Sequence, residues 1–265
     1  MKLLEGKTAL IFGIANKRSI AWGIAQAFHK HGATLGFSYA GQVLERRVRP
    51  LGESLGVKFI EACDVANDQD IAAIVNKASK VFGKIDILIH SIGFANRDEL
   101  TGPYTNTSRE GFHLAMDISV YSFTALAKAF QPLLQPGGAL LTMTYYGSEK
   151  VAPNYNVMGV AKAALEASMR YLAYDFGPKN IRVNAISAGP IRTLAAAGVS
   201  GFKSMYRSFT DLAPLNQSIT IEDVGNTAVY LCSDLASKTT GQVVFVDSGY
   251  NIIGVPVPRE PATQD

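Results

Sequence analysis

The stretch "LIFGIANKRSIAWGIAQAF", Leu10 to Phe28, changes period in its middle. Leu10 to Phe12 are apolar at every position, as in a strand covered on both faces. From Ile20 the apolar residues recur at helical spacing. Gly13 ends the strand and Ser19 precedes the helix, so the passage reads as the first strand-to-helix crossing of a doubly wound sheet. At such a crossing a glycine lets the backbone approach a pyrophosphate, and the helix N-terminus adds free N–H donors and positive dipole. The usual G-x-G-x-x-G fingerprint is absent. Gly13, Ser19 and Gly23 stand in its place, with Ser19 able either to cap the helix or to donate to a phosphate. An ordinary glycine turn with a serine cap is the plainer alternative; position at the first crossing favours cofactor binding.

Outward from this stretch the pattern repeats. Apolar runs recur at 33–39, 57–65, 85–91, 138–144, 181–187 and 242–247, and segments of helical period such as "DIAAIVNKASKVFG" and "TIEDVGNTAVYLCSD" lie between them. Alternation at this interval predicts right-handed βαβ units in a single-domain, Rossmann-type α/β fold, with a parallel sheet of about seven strands and helices on both faces. No linker or internal repeat divides residues 1–265, and the Pro-rich tail, 255–265, is expected to be flexible. With 48% hydrophobic and 18% charged residues the chain is globular in balance. A net charge of +3, with both signs interspersed, argues against nucleic acid. Two cysteines far apart, Cys63 and Cys232, exclude a disulfide framework. The N-terminus lacks the features of a leader, and no run is long enough to span a membrane. The expectation is a cytoplasmic protein.

Ligands of such sheets bind beyond the carboxyl ends of the strands, where strand order reverses. "CDV" (63–65) and "HSIGFAN" (90–96) end the third and fourth strands. Asp64 could accept from an adenine amino group or merely neighbour a helix cap, and Gly93 gives backbone access. After the second strand, Ala40 and Gly41 supply neither an acid for a ribose diol nor an arginine for a 2′-phosphate. Arg46 and Arg47 fall on the solvated face of the next helix, so NADH is favoured over NADPH.

"YNVMGVAKAALE", Tyr155 to Glu166, places a phenol and an ammonium seven residues apart. Seven residues turn a helix through about 700°, which puts both on one face about 10 Å apart, with room for a ligand between them. A half-buried tyrosine and a snorkelling lysine are the plain alternative. Tyr145 and Tyr146 end the fifth strand just upstream. A neighbouring ammonium could help poise a phenol to donate to a developing oxyanion. "ISAGPIRT" (186–193) leaves the sixth strand, where Gly189 and Pro190 could flank a nicotinamide ring. "LAAAGVSGFKSMYRSF", with apolar Phe202 and Met205, reads as a helical lid over about 193–210 or as a surface helix. The four histidines form no metal-ligand pattern, and no nucleophile elbow or P-loop occurs.

"GIANKRSIAWGIA", "HSIGFAN", "REGF", "PNYNVMGVAKA", "IRVNAISAGPIRTL" and "IEDVGNTAVYLCSDL" occur in order over about 4–253. Together they resemble the NADH-dependent bacterial enoyl-[acyl-carrier-protein] reductases, a divergent family of the short-chain dehydrogenase/reductase superfamily. The resemblance implies hydride transfer from NADH to the β-carbon of a trans-2-enoyl thioester, with Tyr155 on the thioester carbonyl and Lys162 on the nicotinamide ribose. Tyr145 matches the family's other active-site tyrosine. Gly13, Ser19, Ile20, Asp64, Val65, Ile92, Ile191, Arg192, Thr193, Leu194 and Ala195 match cofactor contacts, and Ala95 a substrate contact, with Phe202 on the lid. Acyl carrier protein would be the partner, with Lys203 and Arg207 beside the lid, and the assembly a homotetramer. Tyr146 stands where members often have Leu, which leaves open which tyrosine faces the site.

Two other readings remain. A ketoacyl-type reductase needs lysine four residues after its tyrosine, and residue 159 is Gly. A non-catalytic nucleotide-binding sensor would have no need of Tyr145, Tyr155 and Lys162.

Overall fold

The computed structural model describes residues 2–194, 196–198, 201–255 and 257, without the side chains of 197, 202 and 203. Seven strands, β1 (Thr8–Phe12), β2 (Thr34–Tyr39), β3 (Phe59–Ala62), β4 (Ile85–His90), β5 (Leu134–Thr144), β6 (Arg182–Ala188) and β7 (Val243–Val246), form one sheet. All pairs are parallel and the order is β3-β2-β1-β4-β5-β6-β7. The chain winds outward from β1 to β3, then crosses back to β4, so the switch in order lies between β1 and β4. This is the expected doubly wound sheet, with β3 shorter than its apolar run and β5 longer.

Helices α1 (Ile20–Lys30), α2 (Gly41–Ser54) and α8 (Ile221–Cys232) cover one face. The other carries α3 (Asp68–Phe82), α4 (Arg109–Met116), α5 (Ser122–Phe130) and α6 (Asn156–Phe176). Strand β1 shows why both faces must be covered: Ala9 and Ile11 enter one core, Leu10 and Phe12 the other. Helix starts follow local chemistry. The Asn67 side chain accepts from the N–H groups of Gln69 and Asp70 to begin α3, and Thr220 with Asp223 forms a capping box on α8. Gly23 serves packing: a Cβ there would lie 2.2 Å from the Ile221 carbonyl oxygen, so α1 and α8 meet backbone to backbone.

Between α4 and α5 the helix widens into a π-turn, Asp117–Tyr121. Beyond β6, helix α7 (Phe202–Leu212) is seated by Phe209, which is buried. Among the described residues no helix is long and apolar enough to cross a membrane, and no cluster of side chains could hold a metal. Burial pushes the Cys63 and Cys232 thiols up to about 12, which leaves both inert at neutral pH.

Candidate active site

The carboxyl ends of β4 and β5 and the start of α6 bring Tyr145, Tyr155 and Lys162 together. Tyr155 stands one residue before α6, at its N-cap, with φ −97° and ψ −26°. It therefore opens the helix that carries Lys162 instead of lying within it. Asn154 and Asn156 on either side have φ of 63° and 39°. Asparagine tolerates this left-handed region better than other side-chain-bearing residues, so the tyrosine is presented by a locally twisted backbone. The Tyr155 ring meets that of Tyr145 edge-on, centroids 4.9 Å apart. Tyr146 turns away, donating to the Asn251 carbonyl at 3.1 Å and packing beside Phe245. Tyr145 is thus the inward member of the pair.

The Tyr155 hydroxyl makes no hydrogen bond among the described residues. Burial, and then the nearby Tyr145, push its pKa above the usual phenol value; Tyr145 itself is pushed up to about 12, mainly by burial. Both phenols stay protonated at neutral pH, so Tyr155 can donate and does not act as a phenolate. Lys162 is held by β5. Its Nζ donates to the Met143 carbonyl at 2.9 Å, and the side chain is buried. Desolvation lowers Lys162 to about 8, partly offset by Glu166. That bond is the only one Lys162 makes among the described residues, so two of its three N–H donors remain for a ligand. A pair of hydroxyls, such as a ribose diol, fits that donor set.

Gly159 explains the unusual spacing. A Cβ there would lie 2.8 Å from the Gly147 carbonyl oxygen, so α6 presses against the Tyr146–Ser148 turn and no longer side chain fits. A lysine four residues after Tyr155 is excluded by contact.

The loop after β4 is held from behind. The Ser119 hydroxyl, in the π-turn and fully buried, accepts from the Phe94 N–H at 3.0 Å and contacts the Phe94 carbonyl at 3.1 Å. His90 bridges Thr142 Oγ1 (2.8 Å) and Ser122 Oγ (2.9 Å), while Ser122 donates to the Ile118 carbonyl. Ser122 therefore accepts from His90 Nε2–H, and Nδ1 accepts from Thr142. Burial, and then the Lys162 charge, lower His90 to about 3 and keep it neutral. Ile92 and Ala95, on this loop, are half-buried against the core, and Gly93 lies open above Lys162: a Cβ there would come within 3.4 Å of Nζ. The sequence reading missed Ser119, Ser122 and His90. No motif marks them, because their role comes from a π-turn that brings distant segments together.

The remaining predicted residues spread along the same sheet edge. Gly13 has φ of 105°, and a Cβ would meet the Ser91 carbonyl oxygen at 2.1 Å, so glycine is required there. Ser19 precedes α1 but does not cap it; its hydroxyl donates to the Asn16 carbonyl and accepts from the Ala15 N–H, ordering the loop. Ile20 is half-buried at the head of α1. Asp64 is exposed and accepts from the Ala66 N–H at 3.0 Å, while Val65 is buried in the core. Arg46 and Arg47 are exposed on α2.

Past β6, Ile191 packs on the core, Thr193 accepts from the Ala196 N–H, and Leu194 is exposed. The Arg192 guanidinium stacks on Tyr206 of α7 at 4.4 Å. Ala195 and the side chains of Phe202 and Lys203 lie outside the described residues. Met205 takes a contact from the Tyr145 hydroxyl, 3.6 Å to sulfur, which ties α7 to the tyrosine pair.

Three comparisons bear on this arrangement. The family model described as enoyl-(acyl carrier protein) reductase matches residues 13–251. The enoyl-[acyl-carrier-protein] reductase [NADH] of Rickettsia prowazekii is 53% identical over 252 residues, 95% of this chain and 97% of the relative. Among solved structures, the enoyl-[acyl-carrier-protein] reductase (NADH) of Aquifex aeolicus superposes with a TM-score of 0.94 at 53% identity, covering 96% of this chain and 99% of that one. The Bacillus cereus enoyl-acyl carrier protein reductase, solved with NADP+ and indole naphthyridinone, gives 0.94 at 52% identity, with 96% and 100% covered.

Proposed function

This chain belongs to the enoyl-(acyl-carrier-protein) reductase family, and from that membership we propose that Tyr155, Tyr145 and Lys162 carry its reaction. The protein is an NADH-dependent oxidoreductase that reduces the carbon–carbon double bond of an enoyl thioester on acyl carrier protein, a step of fatty-acid synthesis. NADH, when bound, supplies the hydride that reaches the β-carbon.

The chain's own residues do the rest. Tyr155, kept protonated by burial, donates to the thioester carbonyl oxygen, and this bond strengthens as negative charge grows there. Tyr145 packs edge-on against it and fixes the ring's direction. Lys162, with two uncommitted N–H groups, would hold the ribose hydroxyls. Gly13, Ser19 and Ile20 would hold the pyrophosphate, Asp64 and Val65 the adenosine end, and Ile92 with Ile191, Arg192, Thr193 and Leu194 the nicotinamide end. Ala95 would border the acyl chain, with helix α7 beside it. A homotetramer working in the cytoplasm is the assembly we favour.

The observation that carries the reading is a phenol hydroxyl without a hydrogen-bond partner among the described residues, at the start of the helix that carries a buried lysine with donors to spare. The ketoacyl alternative is opposed by Gly159, where no lysine fits. The test is loss of NADH absorbance with an enoyl thioester, beside NADPH and beside a ketoacyl thioester. Turnover of the enoyl compound with NADH is expected; turnover of the ketoacyl compound alone would overturn the reading.

A further inference from the structure

Two oppositely charged side chains are buried on α6 one turn apart, and they do not pair. Lys162 is 7% exposed and Glu166 6%. At this spacing their Cβ atoms lie about 5–6 Å apart. Yet no ion pair joins them, because consecutive residues of β5 hold each separately. The Met143 carbonyl accepts from the ammonium at 2.9 Å, and the Thr144 hydroxyl donates to Glu166 Oε1 at 2.6 Å. Burying an unpaired charge is costly. Neither group has another counter-charge in contact among the described residues.

The surroundings leave the two facing only each other. His90, on β4, is neutral, and Tyr145 and Tyr155 are protonated phenols. Asp117 of the π-turn, His113 of α4 and Glu149 beyond β5 are all exposed. Arg182, on β6, turns to the Leu231 and Ser233 carbonyls at the end of α8.

We propose that Glu166 is a positioning residue for the reductase reaction: a tethered counter-charge that keeps Lys162 an ammonium without occupying its N–H groups. The tether matters as much as the charge. A carboxylate free to close onto Lys162 would form the ordinary ion pair and take the donors that the ribose needs. Thr144 holds it back, so the field of the carboxylate reaches the ammonium while the donors stay open. The direction of the Lys162 shift agrees, since burial lowers it and Glu166 is what raises it again. The inference rests on Lys162 binding the cofactor, as proposed above.

The test measures NADH affinity by fluorescence from pH 6 to 9.5 for the full chain, Glu166→Gln, Thr144→Val and Lys162→Met. The native protein should lose affinity as pH rises through the Lys162 pKa of about 8. In Glu166→Gln, which keeps the shape and can still accept from Thr144, that loss should move down by about 1–2 pH units. Affinity at pH 6 should stay within about threefold of native, because one isosteric exchange leaves the other contacts alone. Thr144→Val should weaken NADH at pH 6 and move the limb up, because the released carboxylate closes onto the ammonium and takes its donors. An unmoved limb in Glu166→Gln, with Lys162→Met still weakened, would overturn this inference alone. Native affinity in Lys162→Met would overturn the role of Lys162 instead. Melting curves recorded beside each titration separate a misfolded variant from a changed one.

Discussion

The two ends of the proposed cofactor track are built differently. Where β4, β5 and α6 meet, the polar groups are buried or half-buried and their acidities displaced: Lys162 down, His90 down, Tyr145 and Tyr155 up. Where β2 and β3 end, Ala40 and Asp64 are exposed, and Asp64 merely closes a turn onto Ala66. The difference follows from what each end must do. Chemistry requires a donor aimed where charge will appear, and such a donor is worth most where water is excluded. Holding an adenosine needs only shape and a few hydrogen bonds, which water competes with but does not abolish.

Substitutions at the two ends should therefore differ in kind and size. The largest effect is expected from Tyr155→Phe. Losing an oxyanion donor should cut kcat about 100- to 1000-fold while NADH binding stays near native; a variant that lost NADH affinity in proportion would erase the contrast. Lys162→Met should weaken NADH roughly 10- to 100-fold, the size of a lost charge-assisted bond, measured by fluorescence titration.

His90 gives the buried end a pH signature. Its pKa is about 3 in the folded protein against 6.5 unfolded, so the unfolded chain binds the extra proton as pH falls. Stability is complete above about pH 6.5 and is lost below it, by about 2 kcal/mol between pH 7 and 5. Urea midpoints of native protein and His90→Asn at both pH values measure this, and equal slopes would remove His90 as the cause. The smallest effect belongs to the open end. Asp64→Ala should raise the NADH dissociation constant about fivefold, one ordinary hydrogen bond of about 1 kcal/mol, and leave kcat alone.

Much of the fold could be read along the chain. Strands buried on both faces are apolar throughout, and the helices between them announce their caps, as at Asn67 and Thr220. The π-turn at Asp117–Tyr121 gave no such signal, since a single widened turn does not disturb helical periodicity. At the site, Tyr155 and Lys162 were visible as residue types, but not the backbone that places them. Tyr155 lies outside the helix, and Lys162 answers to the Met143 carbonyl instead of the phenol.

By itself the sequence determined the alternation of strand and helix, the glycine at Gly13 and the presence of a phenol and an ammonium near one strand end, because these rest on local periodicity and on which side chains exist. The tertiary structure alone decided that Tyr145 and not Tyr146 faces Tyr155, that Gly159 admits no lysine, and that Glu166 stands back from Lys162. Each of these depends on contact between segments joined only by the sheet, and burial there sets both the direction of a side chain and its charge.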